Sequence, residues 1–320
     1  MSYVIGSFNL LDFNISMRNA NDGEERKDFQ KISKIIIEEK FDIVALQEIN
    51  SLLALKYLVE QLNRMSCCQG MYDFSFGENM PCLNGNRHDP ERYAFIWNMR
   101  RFRLVNVPNK QNPKYYPYGH GSRLIRPPYY GRFTARGLIG GSNFEIRLIN
   151  THIHSTNEKE KLEEFKILVT EILPRICDHQ ELSVEGEFMP AYTFLLGDYN
   201  ITLHKSEMAA YRIEDVIASG YTGKKRIYQT VQKEQTTLKK PGFQTNIDDC
   251  YHMDYDHFTY ETDLNRKMII IPERVEVLGK YFANTGNASQ KLEMYRNTIS
   301  DHVPIKLTRD LKPTIGGRYE

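Results

Sequence analysis

Long apolar runs are missing from this 320-residue chain. The densest stretches, around residues 35–37 and 268–271, fall far short of the roughly 18 apolar residues that a membrane-crossing helix needs. That excludes a helical membrane protein. Cysteine is scarce and poorly placed for a disulfide framework: there are five, an odd number, with Cys67 and Cys68 adjacent. No CxxC or Cys/His spacing of the zinc type occurs, which excludes a structural zinc module. The segment Met1-Ser2-Tyr3-Val4-Ile5-Gly6 lacks the basic start, longer apolar core and small-residue cleavage site of a secretory signal. Together with the unpaired thiols, this leads to the expectation of a reducing, cytoplasmic setting. Internal repeats and low-complexity tracts are absent, so solenoids and propellers are set aside. Tryptophan occurs once, but twenty tyrosines and sixteen phenylalanines supply the apolar surface that a disordered chain would lack.

Acidic residues are missing from one long segment. Between Arg92 and Phe144 there is no Asp or Glu, whereas Arg92, Arg100, Arg101, Arg103, Lys110, Lys114, Arg123, Arg126, Arg132 and Arg136 all fall there. The formal net charge of the whole chain is only +1, so the rest of it is acidic. Tyr115, Tyr116, Tyr118, Tyr129 and Tyr130 interleave with these cations. Such a pattern suits a polyphosphate partner with stackable bases. The alternative is a solvated stretch whose charge is met in space by acidic neighbours.

Short runs rich in β-branched and aromatic residues predict strands over residues 3–10, 41–46, 93–97, 102–107, 133–139, 144–150, 192–196, 254–260, 269–277 and 303–307. Stripes of period 3.6 predict helices over 28–40, behind an Asp28 cap, and over 52–65 and 158–176. Many strands with a few interspersed helices imply an α/β fold of two packed mixed sheets flanked by helices. No Pro/Gly/Ser linker divides the chain, so residues 1–320 are read as one domain. The stretches 106–126 and 221–249 are expected to be long irregular loops, which are often functional.

Polar residues with chemical potential repeatedly end apolar strands. Asn9 follows Val4-Ile5-Gly6-Ser7-Phe8, and Gln47-Glu48 follows Ile43-Val44-Ala45-Leu46. His152 follows Leu148-Ile149-Asn150-Thr151, Asp198 and Asn200 follow Phe194-Leu195-Leu196-Gly197, and Asp301-His302 precedes Val303-Pro304. Strand ends gather at one edge of a sheet, so these groups are expected to converge. Carboxylates with an Asn offer hard oxygen ligands suited to Mg²⁺ or Mn²⁺. Imidazoles beside them move protons near neutral pH. A single Asp or Asn after a strand is ordinarily a turn former or a cap. Glu48 alone reads equally well as a cap for the helix near Leu52, and His204 and His252 as surface residues. Their joint occurrence, in order, separates the functional reading from the bland one.

In that order the segments become recognisable. Ser7-Phe8-Asn9, Asp42-Ile43-Val44-Ala45-Leu46-Gln47-Glu48, Glu91-Arg92-Tyr93, Arg126-Pro127-Pro128, Asn150-Thr151-His152, Gly197-Asp198-Tyr199-Asn200, Tyr255-Asp256-His257 and Ser300-Asp301-His302-Val303-Pro304 span almost the whole chain. This set resembles the endonuclease/exonuclease/phosphatase superfamily, and within it most closely the deoxyribonuclease I group. The resemblance implies a four-layer α/β sandwich and a Mg²⁺-dependent phosphodiesterase that cuts DNA internally. Glu48 would bind the catalytic Mg²⁺, for which Mn²⁺ could substitute, with Asn9 and Asp301 in or near its shell. His302, oriented by Asp256, would be the general base. His152, oriented by Glu91, would be the general acid or phosphate-oxygen donor. Asp198 and Asn200 would position water and the scissile phosphate, and Arg126 would hold a phosphate oxygen. Related nucleases can also carry Ca²⁺ as a structural ion in surface loops, and the sequence leaves open whether this chain does.

Departures bear on substrate grip. Asn50 stands where the deoxyribonuclease group has a minor-groove Arg, and Asp89 where it has a sugar-stacking Tyr; the disulfide cysteines are missing. Abasic-site endonucleases generally place a Tyr where His152 falls, and inositol-polyphosphate phosphatases carry a Trp-Cys-Asp-Arg type of segment in place of Tyr255-Asp256-His257-Phe258. Sphingomyelinases share the histidine. The leading expectation is therefore a DNA endonuclease. The alternatives are a phosphatase or phosphodiesterase for a small or lipid phosphate, sphingomyelinase- or phosphoinositide-phosphatase-like, and a non-catalytic nucleic-acid-binding module.

Overall fold

The structure, a computed structural model, describes residues 2–15, 27–66, 71–78, 91–106, 111–116, 124–136, 142–154, 157–178, 190–202, 215–231, 234–264 and 268–311. Cys67, Cys68, Asp89, Lys110, Tyr118, Arg123 and His204 lie outside the described residues.

Two mixed sheets form the centre. The first contains β1 (Ser2–Phe13), β2 (Ile43–Ile49), β3 (Tyr72–Phe76), β4 (Ala94–Asn98), β13 (Met268–Arg274) and β14 (Ile305–Leu311), in the order β13-β14-β1-β2-β4-β3. The second contains β5 (Phe102–Leu104), β7 (Tyr129–Arg136), β8 (Ser142–His152), β9 (Ala191–Asp198), β10 (Asp215–Ser219), β11 (Lys225–Val231) and β12 (Asp256–Glu261), in the order β10-β11-β12-β9-β8-β7-β5. A short β6 (Lys114–Tyr115) pairs with β7. Among the described residues each sheet holds one parallel pair, β1–β2 and β8–β9, and the other pairings are antiparallel.

Burial sorts the side chains into layers. Tyr3, Ile5, Ile43, Phe95, Trp97, Phe133, Leu148, Phe194, Phe258 and Ile305 fill the space between the sheets. On the outer face of the first sheet, Phe8, Leu10, Val44 and Leu46 pack against α1 (Phe29–Glu38), α2 (Leu52–Ser66), α5 (Val277–Tyr281) and α6 (Ala288–Thr298). On the outer face of the second, Ile149, Leu195 and Tyr228 meet Phe165, Leu168, Ile172 and Ile176. The order helix, sheet, sheet, helix is the four-layer α/β sandwich expected from the strand and helix pattern.

Local chemistry sets several boundaries. Asp28 caps α1, its carboxylate accepting the Lys31 N–H at 2.8 Å. At α2 the cap is Ser51, whose Oγ accepts the Ala54 N–H at 3.2 Å, rather than Glu48. The helix expected over 158–176 starts as α3 (Glu158–Ile167), widens into a π turn at Leu168–Ile172, and resumes as α4 (Leu173–Asp178). Pro174 explains the turn: it has no N–H and its ring would strike the carbonyl four residues back, so the helix opens locally to pass it. The stretch 221–249 is not wholly irregular, because β11 runs through it.

Candidate active site

The alternation of strand side chains builds the site. On β1, Tyr3 and Ile5 face the inter-sheet layer, so Ser7 and Asn9 face it too. The same step carries Gln47 inward after Ile43 and Ala45 on β2, and Asn150 and His152 inward after Ile146 and Leu148 on β8. It also carries Asp198 inward after Phe194 and Leu196 on β9, and Asp256 inward before Phe258 on β12. Register brings the acids and one imidazole abreast: His152 pairs with Asp198, and Asp198 with Asp256. The apolar layer thus ends in a buried polar one. Gln47 closes it below, donating to Asn150 Oδ1 at 2.7 Å across the two sheets, while Asn150 Nδ2 donates to Leu46 O at 2.9 Å.

Glu48 would point away from Gln47 in a regular strand. Its left-handed φ of 59° turns the chain so that its carboxylate also reaches the site. A non-glycine residue in that conformation costs on the order of 1–3 kcal/mol and clusters at functional sites. Asn200 is likewise left-handed, at φ 51°, and its N–H donates to Asp198 Oδ1 at 2.8 Å. Gly197 sits at φ 140°, and a Cβ there would overlap the Thr151 carbonyl oxygen. The tight approach of β8 and β9 beside Asp198 therefore requires glycine.

Two imidazoles flank one carboxylate. His302 Nδ1 lies 2.8 Å from Asp256 Oδ2, and His152 Nδ1 is bonded to Glu91 Oε1. Each ring turns its Nε2 toward the same atom, Asp198 Oδ2, at 3.5 Å. The two Nε2 atoms are thus within twice that distance of each other. Glu91 is shared, because its other oxygen pairs with Arg126. The Tyr93 hydroxyl oxygen accepts the His152 N–H at 3.0 Å. Ser300 Oγ accepts the His302 N–H at 3.0 Å and donates to Asn9 O at 2.7 Å, tying the His302 segment to β1. Burial works against the His302 imidazolium, but Asp256, Asp198 and Asp301 together hold its pKa well above the usual histidine value. Burial opposes the charged form of His152 as well, and Glu91 and Asp198 raise it. Burial would raise the Asp198 carboxyl, yet His302, His152, the Asn200 N–H and Asn9 keep it below the usual range.

No protein-family model matches the chain, and no curated protein matches it in sequence. Solved structures do match in shape. An endonuclease/exonuclease/phosphatase family protein from Bacteroides thetaiotaomicron superposes with a TM-score of 0.52 at 16% identity, over 98% of each chain. The chain has the endonuclease/exonuclease/phosphatase fold. A mannosyl-6-phosphatase from Bacteroides thetaiotaomicron matches with a TM-score of 0.52 at 16% identity, over 97% of this chain and 100% of its own. ANGEL2, a 2',3'-cyclic phosphatase, matches with a TM-score of 0.53 at 14% identity, over 96% of this chain and 95% of its own.

On this endonuclease/exonuclease/phosphatase scaffold the oxygen donors for a cation lie beside the imidazoles. Glu48 accepts from Asn9 Nδ2 at 2.9 Å and from the Asp12 N–H at 3.1 Å. Burial pushes its carboxyl pKa up, so a cation there would favour the ionised form. Asn9 also donates to Asp198 Oδ2 at 3.1 Å, while its Oδ1 accepts the Leu11 N–H at 3.0 Å. In this arrangement Asn9 braces two carboxylates, and its own oxygen is already engaged. Asp301 Oδ2 stands 3.7 Å from Arg296 Nη2, and no hydrogen bond between Asp301 and Glu48 is seen among the described residues. Among the described residues no group of three or more His, Cys, Asp or Glu side chains is arranged to hold a metal ion. One or two carboxylates with water and substrate oxygens fit Mg²⁺, which seldom uses an all-protein cage.

Lys27 is the site residue that the sequence did not disclose. Its ammonium donates to Leu10 O at 2.9 Å and Ile299 O at 2.7 Å. Burial lowers its pKa to about 8, against the pull of Asp301, Glu48 and Asp12. Its position ahead of the Asp28 cap gives no local cue, since its partners are distant carbonyls. Asn200 Nδ2 donates to Ile153 O at 2.8 Å, bracing the ends of β8 and β9.

The basic, tyrosine-rich segment is partly engaged inside the fold. Arg132 is buried against Glu145 with Arg147, and Arg101 pairs with Asp42 near the start of β2. Tyr129 and Tyr130 are buried, and Tyr129 stacks on Phe95. Arg101, Arg126 and Arg132 thus have acidic neighbours, as in the alternative reading, and Tyr129 and Tyr130 are core, whereas Arg100, Arg103 and Arg136 are exposed. Within it, Arg126 is placed at the site by an ion pair with one of the orienting carboxylates.

Proposed function

We propose that the chain is a divalent-metal-dependent phosphoric ester hydrolase acting on phosphodiesters, with DNA as the substrate. The observation that carries this reading is the pair of imidazoles, each fixed at Nδ1 by its own carboxylate and each presenting Nε2 to one oxygen of Asp198. A carboxylate at Nδ1 selects the tautomer and supports the imidazolium as it forms. That geometry serves two proton transfers around one phosphorus.

His302 Nε2 takes a proton from the attacking water as the new P–O bond forms. The bond to the leaving oxygen breaks, and His152 Nε2 supplies its proton. Asp198 orients the water between the rings, and Arg126, steadied by Glu91, binds a non-bridging phosphate oxygen. Glu48 and Asp301, with Asn9 bracing Glu48, would hold Mg²⁺ or Mn²⁺. When bound, the ion supplies Lewis-acid stabilisation of charge on the phosphoryl oxygens.

A second reading is a phosphatase for a small phosphate ester, favoured by the fold shared with a mannosyl-6-phosphatase and a 2',3'-cyclic phosphatase. Supercoiled plasmid incubated with the protein and Mg²⁺ or Mn²⁺ separates the two. Nicking that disappears in His302→Ala supports DNA hydrolysis. Intact plasmid with both metals, beside turnover of sugar phosphates or nucleoside 2',3'-cyclic phosphates, supports the second reading.

A further inference from the structure

The segment after β11 is built directly onto the Asp301–His302 segment that leads into β14. Thr237 bridges His302, the Leu238 N–H donates to Asp301 O at 2.8 Å, and the Val303 N–H donates to Thr236 O at 2.8 Å. On its other side Leu238 bridges Tyr251, and the Lys239 N–H donates to Cys250 O at 2.8 Å. Arg296 Nη1 adds a bond to Leu238 O at 2.6 Å. Beyond Lys239 the chain turns through Lys240, Pro241, Gly242 and Phe243. Three bonds lock that turn: the Gly242 N–H to Gln244 Oε1 at 2.9 Å, Gln244 Nε2 to Lys240 O at 3.0 Å, and Ser289 Oγ to Gly242 O at 2.6 Å.

Phe243 at the tip is 104% exposed, and Lys239 and Lys240 beside it are exposed too. A braced turn thus holds a bare aromatic face in water next to two cations. Five residues span at most about 17 Å, so Phe243 stands within a few stacked nucleotides of the Asp301 backbone to which Leu238 donates, at about 3.4 Å per base. The acids of this loop, Asp248 and Asp249, lie on the returning limb, where Asp249 Oδ2 accepts from Thr245 Oγ1 at 2.9 Å.

We propose that the turn from Lys239 to Phe243 is a subsite for an unpaired nucleotide of a nucleic-acid substrate. The base stacks on the Phe243 ring, and Lys239 and Lys240 hold the flanking phosphates, while the scissile phosphate lies between His152 and His302. The subsite rests on the phosphodiesterase reading and deepens it by naming a single-stranded element in the substrate. A lone ring beside two cations matches the sequence-tolerant stacking used for single strands. A protein partner would need a broad apolar patch, but the neighbouring exposed residues Thr245 and Asn246 are polar.

The test measures binding of a fluorescein-labelled 12-mer of deoxythymidine, and of a duplex of equal length, to the full chain in EDTA. Phe243→Ala is expected to weaken single-strand binding about tenfold, and Phe243→Trp to restore it. Lys239→Gln with Lys240→Gln is expected to weaken it and to flatten its salt dependence. Phe243 makes no buried contact, so thermal stability should be unchanged. Hydrolysis of bis(p-nitrophenyl) phosphate, too small to reach the turn, should be unchanged in all these variants. Equal oligonucleotide binding by Phe243→Ala and the parent would overturn the subsite. So would a Phe243→Ala defect confined to anionic lipid vesicles, which would assign the turn to a membrane surface. A parent protein that binds the oligonucleotide but hydrolyses no diester would instead overturn the hydrolase reading.

Discussion

Replacing Asp256 by Asn probes the His302 dyad with little change of shape. The carboxylate and the imidazolium that forms during the reaction would be about 4 Å apart between charge centres, given the 2.8 Å contact of their nearest atoms. At an effective dielectric near 20, two unit charges at that separation attract by about 4 kcal/mol. A factor of ten for each 1.36 kcal/mol then gives a loss of about 10³-fold, within the usual 10²–10⁴ for a positioned acid or base. The Asp256 N–H bond to Thr236 Oγ1 and its register with Asp198 use the backbone, so the strand is retained. The assay is kcat/KM for bis(p-nitrophenyl) phosphate across pH. Loss of the Asp256 charge lowers the His302 pKa, so the acid limb of the profile should move to lower pH. A variant that keeps more than a tenth of the parent rate, with an unshifted limb, would refute the assignment of His302 as a base held by Asp256.

Other perturbations separate other parts of the structure. Glu91→Gln breaks the brace on His152 and the ion pair to Arg126 together, so kcat should fall about 10²-fold and KM should rise; a change in KM alone would place Glu91 outside the proton transfer. Gly197→Ala forces a Cβ into the Thr151 carbonyl at a φ reserved for glycine, and thermal denaturation should show a drop of several degrees or loss of folded protein. Glu39 is bonded by Lys280, Tyr281 and Lys306; burial alone would raise its carboxyl, but these bonds lower the pKa from 4.5 to about 2. Its contribution is complete above the unfolded-state pKa and disappears as pH falls through the folded one. Glu39→Gln should therefore cost about 1–2 kcal/mol at pH 7, after allowance for solvent screening, and much less near pH 2, as read from urea denaturation at each pH.

The strands that were legible in the sequence are the ones with strong apolar content. The expected run 3–10 lies within β1, and 144–150 within β8, because alternate residues fill the inter-sheet and outer layers. β10 and β11 escaped notice for the opposite reason. They are mixed edge-side strands, and Ile217 is 67% exposed. α5 is only five residues long, and α6 has a polar sequence whose start rests on a capping box at Asn287 and Gln290. At the site, Glu48, His152, Asp198 and His302 were visible because each stands at or beside a strand end. The bracing role of Asn9, the pairing of Glu91 with Arg126 and the place of Lys27 depend on contacts between distant segments, which no local pattern encodes. The cations with interleaved tyrosines between Arg92 and Phe144 suggested a stacking group for bases, but charge and ring content do not reveal burial. The structure presents such a group at Phe243, in a loop whose sequence is unremarkable until its exposure is seen.

The most direct measurement compares the parent with His152→Ala and His302→Ala for hydrolysis of bis(p-nitrophenyl) phosphate, in EDTA and with added Mg²⁺ or Mn²⁺. Turnover by the parent only with metal, reduced at least about 10²-fold in each variant, is the predicted result. Equal rates in all three folded proteins, or no turnover by the parent with either metal, would contradict the claim that these two imidazoles work on one phosphate.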